Sequence, residues 1–257
     1  ADPPGPARSR RELLSEPRYL TMVGAFSIAL LAQISFIAHQ AAFLEPSLGL
    51  KGAGWAISLT SLSALIGRLA IGLVVDRIDR RLATAIVLVV QIAGMAVLLS
   101  SAAVPALYLG CVLFGFGVGN LITLPGLIVQ KEFPRRDFAR AVSLNVAITQ
   151  LVAAIGPSLL GVLHDLSGGY RAGFVFALCS IGITTLLWAD LSNRFVWFAL
   201  FVSMSFGVVG FMDDWLKIAR KNPKGLSAKQ KYFWLSLTGL ATSIAIYMTA
   251  KTPAETT

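Results

Sequence analysis

Apolar stretches of about twenty residues alternate with short polar segments along almost the whole chain. A helix needs about 20 apolar residues to cross about 30 Å of hydrocarbon. On that measure the pattern predicts eight transmembrane helices: Tyr19–Leu44, Ala53–Val75, Leu82–Ser101, Leu107–Val129, Ala141–Leu163, Gly173–Trp188, Phe195–Phe211 and Tyr232–Ala250. The helix breakers fall between them: Pro46, Gly49 and Gly52, then Pro105, Pro134, Gly168-Gly169, and Pro223 with Gly225. No stretch alternates with the period of two that marks a strand. The expected fold is an all-α polytopic membrane helix bundle. Ala1–Pro17 is polar and rich in Pro and Arg, and is expected to be mobile. With no initiator Met and no signal-peptide layout, the chain reads as a fragment that begins mid-protein.

Composition sharpens this picture. Of 257 residues, 56% are hydrophobic and only 14% charged, with a mean hydropathy of +0.73. Soluble domains carry about 25% charged residues, so disorder, a disulfide-rich module and a soluble enzyme are excluded. Cys111 and Cys179 both lie in apolar runs and give no disulfide framework. The net charge of +9 sits mostly in clusters between apolar runs, which suits a lipid bilayer and its positive-inside bias rather than nucleic acid. Arg8, Arg10, Arg11 and Arg18 precede the first helix. Arg77, Arg80 and Arg81 follow the second, and Lys131, Arg135, Arg136 and Arg140 follow the fourth. Alternating helices put all three clusters on one side, so the N-terminus is expected in the cytoplasm of a bacterial inner-membrane protein. Continuing the count puts the most basic loop, Lys217 to Lys231, outside. Residues 1–187 hold 12 Arg and 2 Lys, whereas 188–257 hold 2 Arg and 6 Lys. Both signals change near Ile183–Trp188. They suggest three parts: a polar segment over 1–18, a six-helix bundle over 19–183, and a different piece over 184–257.

The loop between the second and third helices reads Gly72-Leu-Val-Val-Asp76-Arg77-Ile-Asp79-Arg80-Arg81. It resembles the G-x-x-x-D-R-x-[GD]-R-R loop signature of the major facilitator superfamily, and residues 17–183 resemble the second six-helix half of such a transporter. Gly72 is expected to let two helices approach closely, Asp76 to cap and pair at the membrane boundary, and the Arg cluster to pair with neighbouring helix ends. The alternative is a generic basic loop. Arg68 lies eight residues before Asp76, about 12 Å along a helix, where a charge is costly unless it faces a polar cavity. At that position it resembles the anion-binding Arg of transporters for small organic anions, and a structural pairing with another helix is equally open. Gln33, Gln40, Asn120 and Asn145 could line the same cavity, as could His39, Thr123, Thr149 and Gln150, with interhelical hydrogen bonds the blander role for each. The glycines Gly110, Gly115, Gly117 and Gly119 suit close packing rather than a nucleotide loop. This reading implies a small-molecule substrate and no cofactor.

From Thr184 the run changes to Trp188-Ala-Asp190-Leu-Ser-Asn193-Arg194, then Gly210-Phe-Met-Asp213-Asp214-Trp-Leu-Lys217 and Asn222-Pro-Lys224-Gly225. This run resembles phospho-N-acetylmuramoyl-pentapeptide transferase, the peptidoglycan enzyme that uses Mg²⁺ to join a UDP-muramoyl-pentapeptide to undecaprenyl phosphate. The resemblance implies that Asp213 and Asp214 are catalytic, one of them holding Mg²⁺, with Lys217, Lys221 and Lys224 on phosphate or lipid. The residues alone equally allow an Asp pair at a helix end, neutralised by Lys217. Three readings stay open. The first is transport of a small solute, expected to be an organic anion; the second is a Mg²⁺-dependent transferase fragment. The third is a chimera that does neither.

Overall fold

The computed structural model describes residues 7–188, 197, 201, 205, 209, 212 and 227–249. The chain divides into two compact units, Ala1–Asp190 and Leu191–Thr257. In the first unit the helices are α1 (Arg10–Leu14), α2 (Pro17–Val74), α3 (Arg80–Ser100), α4 (Val104–Val118), α5 (Asn120–Glu132), α6 (Phe138–Ser167) and α7 (Tyr170–Trp188). A 3₁₀ turn over Arg135–Asp137 joins α5 to α6. In the second unit α8 spans Ala228–Thr249. There is no strand among the described residues. Among the described residues, five helices are long and apolar enough to cross a membrane, all within residues 17–188, with α4 and α5 counted as one. Helix α8 is not among them, and the seventh expected helix, Phe195–Phe211, lies outside the described residues apart from isolated positions.

The longest helix folds back on itself. At 1.5 Å per residue its 58 residues would run about 87 Å, nearly three hydrocarbon thicknesses. Gly49 interrupts it with φ 67° and ψ 169°, a conformation open almost only to glycine. In an unbroken helix Gln40 and Thr60 would stand about 30 Å apart. Instead the Gln40 side-chain amide donates to Thr60 Oγ1 at 2.7 Å. The two limbs of α2 are therefore antiparallel neighbours, corresponding to the first two predicted helices, and the first unit has six membrane passes.

Two features set the packing. The first is a cluster of rings. Phe36 of α2 lies 4.3 Å from Phe114 of α4 and 5.0 Å from Phe174 of α7, centroid to centroid, and Phe43 lies 4.5 Å from Phe174. The second is glycine. A methyl on Gly115 would overlap the backbone of Thr60, and one on Gly67 would overlap the carbonyl of Phe116. One on Gly119 would meet the Ala64 carbonyl at 2.8 Å. The second limb of α2 thus lies backbone to backbone on α4, as small residues permit in lipid, where packing rather than the hydrophobic effect drives association. On the other side of α4, Gly94 and Gly110 do the same for α3.

Two expectations are corrected here and one is refined. Gly72 is not at a close approach: a Cβ there would meet nothing within 4 Å. The fourth predicted helix, Leu107–Val129, is a single membrane pass over Val104–Glu132, divided into α4 and α5 at Gly119, whose dihedrals (φ −67°, ψ −25°) stay helical. The N-terminal segment is ordered from Ala7 onward. Ser9 and Glu12 form a capping box on α1, and Leu13 is wholly buried.

Candidate functional site

Helices α4 and α5 meet at Gly119, which keeps helical dihedrals (φ −67°, ψ −25°), so the two run as one membrane pass. The second limb of α2 brings Arg68 to this junction, where its Nε–H donates to the Gly119 carbonyl at 3.2 Å. Arg68 is exposed. A guanidinium has five N–H donors, and the other four have no partner among the described residues. It therefore sits on an apolar helix, between exposed Leu65, Ile66 and Leu69, held by one bond to the Gly119 carbonyl of the neighbouring pass.

Buried amides lie in the same passes. Asn120, 1% exposed, donates from Nδ2 to the Phe116 carbonyl at 3.0 Å, while its Oδ1 has no partner among the described residues. Gln91 of α3 is wholly buried beside Gly117, where an added Cβ would lie 3.2 Å from its Oε1. Neither amide atom of Gln91 has a hydrogen-bond partner among the described residues. A buried unpaired amide costs about 1–3 kcal/mol, so Gln91 is expensive and calls for a reason. Sequence reading passed over it, although the signal was present: it is the one amide in a 21-residue apolar helix.

The other predicted residues scatter. Gln33 is buried with Nε2 unpartnered among the described residues. Gln40 is spent on Thr60 and on Cys111 Sγ, the latter at 3.4 Å. Asn145 is buried, with Oδ1 unpartnered among the described residues. His39 Nε2 meets the Pro157 carbonyl at 3.0 Å and its ring lies 5.5 Å from Tyr170, so this side chain is packed between helices. Thr123 and Thr149 bond back to the carbonyls of Asn120 and Asn145 on their own helices. Asp213, Asp214, Lys217, Lys221 and Lys224 lie outside the described residues.

The loop motif forms a second cluster at the Arg-rich end. Asp79, not Asp76, caps α3, its Oδ1 accepting from the Arg81 and Leu82 N–H groups at 2.8 and 3.3 Å. Asp76 and Arg77 are exposed. Arg80 donates to the Leu127 carbonyl. Arg81 holds Glu132 in a bidentate pair, both bonds 3.1 Å, and stacks over the Trp188 ring at 5.0 Å. Lys131 lies 3.7 Å from Asp79. These contacts tie the α2–α3 turn to the end of α5. A third charged contact was not foreseen at all. The Arg8 backbone N–H and Nε–H both donate to the buried Asp137 carboxylate, at 2.8 and 2.7 Å, and Arg8 also pairs with Glu16. Asp137 first, and Glu16 after it, hold the Arg8 guanidinium above its ordinary pKa.

Six apolar passes, an Arg within one of them and a turn reading Gly-x-x-x-Asp-Arg-x-Asp-Arg-Arg converge on membrane transport. The sequence model of the Major Facilitator Superfamily matches residues 20–252. The match runs on across residue 184, through the stretch that resembles the transferase, and gives the transferase no support. It covers most of the chain, and with the apolar passes it makes this a multi-pass membrane protein: the chain belongs to the Major Facilitator Superfamily.

Proposed function

We propose that the protein carries a small organic anion across the bacterial cytoplasmic membrane, with Arg68 as the group that binds it. The observation that carries this reading is the exposed guanidinium anchored by a single bond to the Gly119 carbonyl. A fixed, always-charged fork of donors suits a carboxylate. Transporters of this family pair two six-helix halves around a midplane site. The second limb of α2 and helix α6, the least buried of the passes, are faces on which such a half would close. Gln33, Asn120 and Asn145 supply polar groups for orientation. The N-terminus lies in the cytoplasm, because the three Arg-rich clusters flanking α2 and α5 obey the positive-inside rule together.

The test is uptake of radiolabelled lactate and oxalate into proteoliposomes. Arg68→Ala should abolish saturable uptake while the melting temperature stays within a few degrees. Uptake that survives Arg68→Ala would sink the assignment. Thiol labelling of Ser9→Cys from the cytoplasmic side alone would support the orientation.

A second reading rests on the run Gly210–Tyr232 itself, whose Asp213-Asp214 pair and basic loop match the chemistry of a Mg²⁺-dependent phosphosugar transferase. It requires Mg²⁺-dependent release of UMP from UDP-muramoyl-pentapeptide in the presence of undecaprenyl phosphate, lost in Asp213→Asn or Asp214→Asn.

A further inference from the structure

Six glycines of the first unit lie so close to another helix that an added Cβ would come within 3.0 Å of its backbone: Gly67, Gly94, Gly110, Gly115, Gly119 and Gly156. The first five join three elements to one another: the second limb of α2, α3, and the pass made of α4 and α5. Gly156 joins α6 to the first limb of α2, at the Leu31 carbonyl. None of the six joins the first group to the second. There the first limb meets its neighbours through side chains: Phe36 on Phe114, Gln40 on Thr60 and Cys111, and Tyr19 on Phe133, 5.8 Å between centroids. Backbone-to-backbone contacts are close-packed and leave no room to slide, whereas side-chain contacts between helices accommodate hinge and shear motion. The chain passes between the two groups at Gly49, with its positive φ, and at the extended residues Phe133 and Pro134.

Three buried amides stand at one level of this boundary. Gln91 of α3 lies against Gly117, and Asn120 follows one turn later. Gln33 reaches the same level from the first limb. It lies on the stripe Gln33, Phe36, Gln40, whose last two members face Phe114 and Cys111. The first limb and α4 are antiparallel, so seven residues before Gln40 corresponds to seven after Cys111, at Val118. Among the described residues, Gln33 and Gln91 each hold a donor nitrogen without an acceptor, and Gln91 and Asn120 each hold an acceptor oxygen without a donor. The unmet groups are complementary, with Gln33 on one side of the boundary and the other two across it. Low dielectric makes such a polar set costly while unpaired and strong once paired.

We infer that the first limb of α2 swings about Gly49 across the face of α4, and that Gln33 pairs with Gln91 and Asn120 in the swung position. The three amides then act as a catch with two settings, one unpaired as in this structure and one closed. Gln33 stands about 24 Å from Gly49 along the helix, and Leu20 about 44 Å. A swing that carries Gln33 about 3 Å, the length of one hydrogen bond, carries Leu20 about 5 Å. The inference does not depend on Arg68 or on the transported solute.

The experiment is double electron–electron resonance on the full chain in lipid nanodiscs, with Cys179→Ser to remove the exposed native thiol. Spin labels at Leu20→Cys and Leu73→Cys, both exposed, report the far ends of the two limbs. Labels at Ala42→Cys and Trp55→Cys, also exposed, report the ends beside Gly49. The far pair should give two distances about 5 Å apart, and the near pair one. Gln33→Met and Gln91→Met should each cut the second population about fivefold, the effect of losing one hydrogen bond. The two together should do little more than either alone, since each opens the catch. Gln150→Met, an exposed amide of α6, should leave both distances unchanged. Should melting curves show that the first far pair has not folded, Thr21→Cys with Leu69→Cys, also exposed, takes its place. A single distance at the far ends, or a second distance indifferent to both Met substitutions, overturns the inference. So does an equal spread at the far and near pairs, which would rule out a pivot at Gly49.

Discussion

The Arg8 Nε–H donates to Asp137 Oδ2 at 2.7 Å across 129 residues of sequence, joining the segment before the first membrane pass to the turn before the fifth. Asp137 is fully buried and Arg8 is 29% exposed, so the two partners are not equivalent. Arg8→Gln leaves a buried carboxylate short of its counter-charge. It should cost about 2–3 kcal/mol, less than the 3–5 of a wholly buried pair because Arg8 reaches water. Asp137→Asn keeps an acceptor for the Arg8 N–H and should cost about 1 kcal/mol. Chemical unfolding in detergent measures both, and a larger loss for Asp137→Asn would contradict the geometry.

Gly49 turns α2 back with φ 67° and ψ 169°. Any residue with a Cβ is strained there by about 1–3 kcal/mol. Gly49→Ala should lower stability by that amount, although a Cβ would meet no neighbour within 4 Å. A neutral Gly49→Ala would mean that the turn relaxes into another shape.

Two glycines of the same limb should respond with opposite sign. A methyl on Gly67 meets the Phe116 carbonyl, which as backbone of a packed helix cannot move aside, so Gly67→Ala should cost about 1–3 kcal/mol. At Gly72 nothing lies within 4 Å, and Gly72→Ala should gain up to about 1 kcal/mol from helix propensity. Paired melting curves of the two variants settle this.

Gln91→Met removes two unpartnered buried polar atoms at nearly constant volume. It should raise stability by about 1 kcal/mol. A fall in the melting temperature would show that the working protein gives this amide a partner.

The passes were legible because apolar length is a strong signal: all six through Trp188 were read within a few residues of their ends. Arg68 stood out because charge is rare in apolar sequence. Gln91 did not, because an amide is common enough to pass as an interhelical bond until its lack of one is seen. The ordering of residues 7–17 was missed for a different reason. Their polar composition argues for mobility, and the contact that overrides it is a carboxylate more than a hundred residues away.

The antiparallel limbs of α2 also bear on how the chain enters a bilayer. The turn between them carries only Glu45 and Lys51, of opposite sign, and no polar loop worth the name. Neither limb has to wait for a bulky hydrophilic segment to be threaded across. The Gln40–Thr60 bond can form as soon as the twenty residues separating its ends are synthesised, hiding an amide that either limb alone would expose to lipid. The two limbs are therefore best regarded as one unit of membrane insertion, a helical hairpin that partitions together and on which α4, α6 and α7 then assemble.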